Sequence, residues 1–186
     1  MMKCTPGPNI LAQTLMTVPA VGVPDDVRKD FAEAFEQLTN TPGYSHELAK
    51  RLEVVELSYY RSKEQPSKMS AIAVCELTVD ESMVNDQQIL HGGFSAFLVD
   101  FCGSIVITLW RICDKYPEWK SHVSKTIDVI YHAPAKVGTR IRIVNTTMSM
   151  GKRSMTSRTE IYTKEGDKSQ LLVSGTHVKM DFSAKL

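Results

Sequence analysis

The sequence predicts an α+β domain in which an antiparallel sheet curls around one buried helix. Three observations carry that prediction. From Gly92 to Trp110 apolar residues fill every side of a helical wheel, with Asp100 the one carboxylate among them. A helix apolar all round has to be buried on every face. Two runs of period-two alternation precede that stretch, and four more follow it near 121–134, 139–150, 153–164 and 170–182, as in strands. The joints between the later runs carry turn chemistry: Ala133-Pro134-Ala135-Lys136-Val137-Gly138, Gly151-Lys152 and Glu165-Gly166-Asp167.

In chain order, residues 1–23 hold Pro6, Gly7, Pro8, Pro19 and Gly22 with little periodicity and read as an irregular arm. Val27, Phe31, Ala34, Phe35 and Leu38 then form one apolar stripe, which predicts a helix over 25–39 with Asp25 as its cap. The arm and this helix, residues 1–45, are set apart from a main domain of residues 46–186. Leu52, Val54, Glu56, Ser58 and Tyr60 alternate with Glu53, Val55, Leu57, Tyr59 and Arg61 as a first strand, and Met69 to Val79 form a second. Between them Lys63–Lys68 is a polar turn. Asp80–Ile89 delivers the chain to His91, and Asp114–Lys120 is a surface excursion after the helix. Short joints make the last four strands antiparallel neighbours. A sheet wrapped this way around a single helix is the hotdog architecture. Its exposed edges are covered when two copies pair edge to edge.

Composition narrows the function classes. A chain of 186 residues supports one domain with an extension. Net charge is +1 with the two signs interleaved, so no nucleic-acid surface is expected. Cys4, Cys75, Cys102 and Cys113 form no Cys-x-x-Cys pair and no ladder with histidines. That pattern predicts free thiols in a reducing compartment and no metal site. Ile10–Val23 is mildly apolar but interrupted, with one lysine before it and no arginine until Arg28. It makes no secretory signal and a weak mitochondrial presequence. The expectation is a cytoplasmic or mitochondrial protein, not a secreted one. Gly92–Trp110 nearly has membrane-spanning length. Asp100 at its centre would cost roughly 2.5–3.5 kcal/mol there, so no membrane span is expected.

A carboxylate inside an apolar helix is costly unless it is solvated, paired or working. Gly92 and Gly93, at the helix start, leave backbone N–H groups bare at the positive end of the dipole. That arrangement suits an oxygen gathering negative charge. His91 and Asp100 are nine residues apart, which is ~900° of rotation, half a turn out of phase, and ~13.5 Å of rise. Either one of the two is functional, or two subunits build each site with Asp100 reaching across. A symmetric dimer would then hold two composite sites.

The run Asn85-x5-His91-Gly92-Gly93-x6-Asp100, followed by Ser124 and by Tyr131-x2-Pro134-Ala135-Lys136-x-Gly138, resembles hotdog-fold acyl-CoA thioesterases of the phenylacetate-degradation type. The resemblance covers roughly residues 50–182 and leaves the N-terminal arm and helix outside. It implies that the Gly92 N–H and the Asn85 amide hold the thioester carbonyl. Asp100 of the partner subunit acts as general base on water, positioned with help from Ser124. Direct attack by Asp100 through an anhydride is the minority mechanism, and His91 bonds near the loop and carbonyl. Gly93 lies beside the substrate. Lys136, Lys152 and Arg153 meet the phosphates of coenzyme A by charge. Coenzyme A is part of the substrate, so no cofactor is implied, and the assembly is a dimer or a dimer of dimers. An N-terminal helix outside the compact pattern would alter chain-length preference.

Each residue also has a plainer use. Asp100 would be a structural carboxylate, Gly92 and Gly93 would permit close helix–strand approach, and His91 would cap the helix. Asn85 would be a turn residue, and the three basic residues would be solvated turn charges. Strict alternation places Ser124 with Thr126, Asp128 and His132, opposite Ile127, Val129 and Tyr131. Two other functions share the scaffold: an enoyl-CoA hydratase or dehydratase, which needs a histidine and an acid converging on one substrate, and a non-catalytic acyl-CoA-binding protein. Release of free thiol separates hydrolysis from both.

Overall fold

The computed structural model describes residues 10–44, 46–116, 122–164 and 168–181. Cys4, the first part of the arm, Pro117–Lys120 and the Glu165-Gly166-Asp167 turn lie outside the described residues. The elements run α1 (Ile10–Thr17), β1 (Ala20–Val21), α2 (Asp25–Asn40), α3 (His46–Ala49), β2 (Glu53–Arg61), β3 (Met69–Thr78), α4 (Gly92–Cys113), β4 (His122–Tyr131), β5 (Arg140–Met150), β6 (Ser154–Thr163) and β7 (Leu171–Asp181). A 3-10 turn at Glu81–Met83 precedes α4. One seven-stranded sheet, in the order β1-β2-β3-β5-β6-β7-β4, wraps α4 in the hotdog manner. All pairs are antiparallel except β1 with β2. Leu98, Val99, Cys102, Ile105, Val106 and Leu109 of α4 are buried against Ala73, Cys75, Leu77, Ile141, Ile143 and Ile161 of the sheet. α4 is long and apolar enough to cross a membrane by length and composition, but this sheet supplies its apolar surroundings.

Three expectations need correction. β4 is not beside β5: it pairs with β7 at the sheet's edge, while β5 lies between β3 and β6. Residues 132–139 make the crossing. Ala135 O accepts from Leu90 N–H at 2.8 Å, Ile89 bridges Lys136, and Gly138 N–H donates to Val79 O at 2.8 Å. The same segment therefore braces the entry to α4. Second, residues 10–21 are not irregular but form α1 and β1. The Arg28 guanidinium of α2 donates to Leu15 O at 3.1 Å and Val18 O at 3.0 Å, and also to Met16 O. It satisfies carbonyls that a helix end leaves bare. Third, Asp25 does not cap α2. Pro24 holds the cap position without a side-chain bond, and Asp25 and Asp26 sit in the first turn, where the dipole favours them.

The N-terminal elements share the main core. Leu15, Val27, Phe31, Ala32 and Phe35 are buried with Leu52, Val54 and Leu57 of the sheet segment. α2 lies along the face of α4 that the sheet leaves open. Phe31, Ala34, Phe35 and Leu38 of α2 and Ile105 and Thr108 of α4 line an apolar groove there of about 300 Å³.

Candidate active site

The start of α4 is set by His91. Its backbone is extended (φ −65°, ψ 135°), and its Nδ1 accepts the Gly93 N–H at 2.9 Å. His91 thus caps the helix, the plainer of its two readings, and the Gly93 N–H is used within the chain. The Gly92 N–H makes no backbone bond among the described residues and remains at the positive end of the dipole. Tyr131, at the end of β4, packs over Gly92 and donates from its Oη to Gly92 O at 3.0 Å. A Cβ on Gly92 would stand 3.3 Å from the Tyr131 ring, so close approach is a second use of this glycine.

Asn85 lies in the loop before α4. Its Oδ1 accepts from the N–H groups of Gln87 at 3.0 Å and Ile89 at 3.3 Å. This turn fixes the carboxamide through its oxygen and leaves the Nδ2 donors without a bonded partner among the described residues. Lys136 stands at the same end of the molecule, bridged to Ile89. Lys152 and Arg153 do not. Lys152 lines a cavity with Trp110, Asp114 and Tyr116 at the far end of α4, and Arg153 follows it in the β5–β6 turn.

Asp100 sits two turns into α4 with its side chain 39% exposed. Its Oδ1 accepts from Ser124 Oγ at 3.0 Å and lies 3.2 Å from His177 Nε2; that same nitrogen is 2.9 Å from Ser124 Oγ. Ser124 reaches the carboxylate because β4 is bulged. The register runs Ser124↔Lys179 and then Thr126↔Val178, so Lys125 is the extra residue. A bulge re-aims the side chains on either side of it. Ser124 accordingly shares the helix-facing side with Ile127 and Tyr131, not the outer side with Thr126 and Asp128, which corrects the strict-alternation reading.

Sequence reasoning missed His177. It is fully buried, and it lies on β7 with Gly175 and Lys179 at alternate positions. The signal was present: Gly175 would place a Cβ 2.9 Å from Val99, and a glycine inside a strand marks a close backbone approach. His177 and Lys179 share the parity of that glycine and so face the helix. Lys179 Nζ donates to Ser104 Oγ at 2.9 Å, and Ser104 Oγ donates to Asp100 O at 2.8 Å. Burial lowers the pKa of His177, against the raising effect of the Asp100 charge. Burial likewise lowers that of Lys179, with Asp100 again opposing. Asp100 is thus flanked by a neutral imidazole and a buried amine. The arrangement holds a carboxylate by one oxygen, and the side chain keeps 39% of its surface exposed. Among the described residues no group of histidine, cysteine and carboxylate side chains has metal-binding geometry.

Within one chain the two halves of the constellation stand apart. Gly92 and Asp100 are eight residues along one continuous helix, or ~12 Å of rise. β4 carries Ser124 at an open sheet edge and exposes Val123, Ile127, Ile130 and Tyr131.

The sequence model of the thioesterase superfamily matches residues 87–170. Acyl-coenzyme A thioesterase 13 of Mus musculus is 30% identical over 106 residues, which are 57% of this chain and 70% of that protein. Among solved structures, zebrafish thioesterase superfamily member 2 aligns with a TM-score of 0.63 and 23% identity, over 83% of this chain and 96% of that one. Its Mus musculus counterpart aligns with a TM-score of 0.50 and 28% identity, over 59% and 80%. The zebrafish match covers about 154 of the 186 residues, more than the 141 between 46 and 186, so the structural likeness extends into the N-terminal segment. On fold and sequence together, the chain belongs to the thioesterase superfamily.

Proposed function

We propose that this protein hydrolyses acyl-CoA thioesters to a free acid and coenzyme A, in sites that two copies share. The observation that carries the reading is the Asp100 carboxylate, held on one oxygen by Ser124 and His177 at the rim of the sheet. In the proposed step, Asp100 Oδ2 takes a proton from water as the water oxygen attacks the thioester carbonyl carbon. Charge gathers on the carbonyl oxygen, where the Gly92 N–H of the other copy and the Asn85 amide stabilise it. The carbon–sulfur bond then breaks, and the proton on Asp100 passes to the departing sulfur. His91 takes no proton in this scheme; it fixes the helix start and keeps the Gly93 N–H occupied.

Support for shared sites comes from geometry. The ~12 Å rise between Gly92 and Asp100 is too long for one carbonyl carbon to meet both within a chain. An open edge strand beside Asp100, with Val123, Ile127, Ile130 and Tyr131 exposed, gives a second copy a place to dock. The alternative, a single-chain site around Asp100 alone, lacks a helix-start donor. Lys136 is the basic residue placed at the Gly92 end for a coenzyme phosphate. The Mus musculus relative is an acyl-coenzyme A thioesterase, which supports the choice of substrate class.

The test is an assay of thiol release from a panel of acyl-CoA substrates with a thiol-reactive dye. The expected result is thiol appearing in step with free acid. Binding without thiol release would favour a sensor, and water addition to enoyl-CoA with the thioester intact would favour a hydratase; either result refutes the reading.

A further inference from the structure

His177 has a second ring nitrogen that the site does not use. Among the described residues its Nδ1 is buried with no hydrogen-bond partner, and so is Ser157 Oγ on the neighbouring strand. Ser157 and His177 are direct register partners between β6 and β7, and both are fully buried. They face the same notch in α4, at Gly103. A Cβ there would stand 2.7 Å from Ser157 Oγ and 3.4 Å from His177 Nδ1, which puts the two atoms within about 6 Å of each other.

The direction of the chain of bonds follows from its open end. An ionised carboxylate only accepts, so Ser124 donates its hydroxyl proton to Asp100 Oδ1. The Ser124 oxygen is then left to accept, and His177 Nε2 at 2.9 Å is the donor within reach. An imidazole that burial keeps neutral carries one proton. With that proton on Nε2, Nδ1 is a bare lone pair, and an unpaired buried acceptor is costly. Among the described residues, Ser157 holds the buried unpartnered hydroxyl on the strand position paired with it.

We propose that Ser157 is a positioning residue: turned about its χ1 bond, it donates to His177 Nδ1 and fixes the tautomer that points Ser124 at Asp100. The relay runs Ser157 to His177 to Ser124 to Asp100, every proton directed toward the carboxylate. Gly103 is the residue that leaves room for its deep end. The inference rests on the thioesterase reading for its consequence but not for its geometry, and the experiment separates the two.

Nitrogen-15 NMR of the imidazoles reads the tautomer directly. In the unaltered protein His177 is expected as the Nε2–H form, with Nδ1 shifted as a hydrogen-bonded acceptor. Ser157→Ala should move the Nδ1 signal toward an unbonded lone pair, and Ser157→Thr should restore it. The corresponding kinetic result is a loss in kcat of about tenfold, the worth of one hydrogen bond, with KM unchanged. Gly103→Ala, whose methyl displaces Ser157 Oγ, should reproduce both effects. A protonated Nδ1 in the unaltered protein, or an Nδ1 signal indifferent to Ser157→Ala, would overturn the relay whatever the activity; the first of these needs no variant to fold. Intact NMR signatures in a protein without thioesterase activity would instead refute the functional reading and leave the relay standing.

Discussion

Replacing Gly92 by proline removes the N–H and sets a ring carbon where it pointed, so it abolishes the proposed oxyanion donor. Gly92 is the first helical residue, where proline fits without loss of a helix bond. The extended backbone of His91 (φ −65°, ψ 135°) is what a residue before proline prefers. The added ring meets the exposed Tyr131 side chain at about the 3.3 Å contact already noted for a Cβ. Gly92→Ala makes the same contact but keeps the N–H, and is therefore the control. Loss of one such donor is worth roughly 10²–10³ in kcat, about 2.7–4 kcal/mol, so Gly92→Pro should fall at least that far below Gly92→Ala, the ring carbon adding to the loss. Shared sites add a second magnitude. A dimer of one Gly92→Pro chain and one Asp100→Asn chain has one site with both lesions and one with neither. Random exchange makes half the dimers mixed, so an equal mixture should recover about a quarter of full activity. Equal rates for the proline and alanine variants would remove Gly92 from the mechanism. Absence of recovery after proven subunit exchange would place each site within one chain.

Asp100→Asn should lower kcat at least 10²-fold, as for other lost general bases, with the thermal midpoint held because the side chain is partly solvated; unchanged turnover would exclude the base role. Glu76, 3% exposed, is bridged by Arg140, Arg142 and Lys164. Burial raises its pKa, but the hydrogen bonds and charges of Lys164 and Arg140 outweigh this and hold it below 4.5. Its contribution is therefore present above pH 4.5 and lost as pH falls through the lowered value. Glu76→Gln should cost about 1–3 kcal/mol near neutrality, since its partners are partly exposed, and should flatten that acid slope in urea melts. His177 has the opposite chemistry but the same direction. Its folded pKa lies below the ordinary 6.5, so the unfolded chain binds the proton first and stability declines as pH drops below 6.5. A His177→Gln variant should lack that slope. Deleting residues 1–45 would strip Phe31 and Phe35 from the core, so acyl preference is better tested with Ala34→Leu. Filling the α2–α4 groove should shift activity toward shorter chains, and an unchanged profile would exclude the groove as an acyl site.

The parts of this architecture written locally were legible in the sequence. α4, α2, β2 and β3 follow from periodicity, and Gly92 and Asp100 stand out because a glycine pair and a carboxylate are unusual in an apolar run. Contacts between distant segments were not legible. α1 is finished by an arginine ten or more residues away, which no local pattern announces. β4 leaves its neighbour in sequence because residues 132–139 are recruited to brace the loop before α4. The facing of Ser124 depends on a one-residue bulge, and His177 meets Asp100 across 77 residues of chain. Alternation alone misplaced the first and gave the second no weight.

The ~12 Å that separates Gly92 from Asp100 along α4 makes activity depend on dilution. If neither chain holds a whole reaction centre, specific activity becomes a function of protein concentration. It should decline as the solution is thinned past the dissociation constant of the pair. Abundance in the cell would then set both the number of catalysts and the fraction of them that is competent, giving output a steeper than linear dependence on expression.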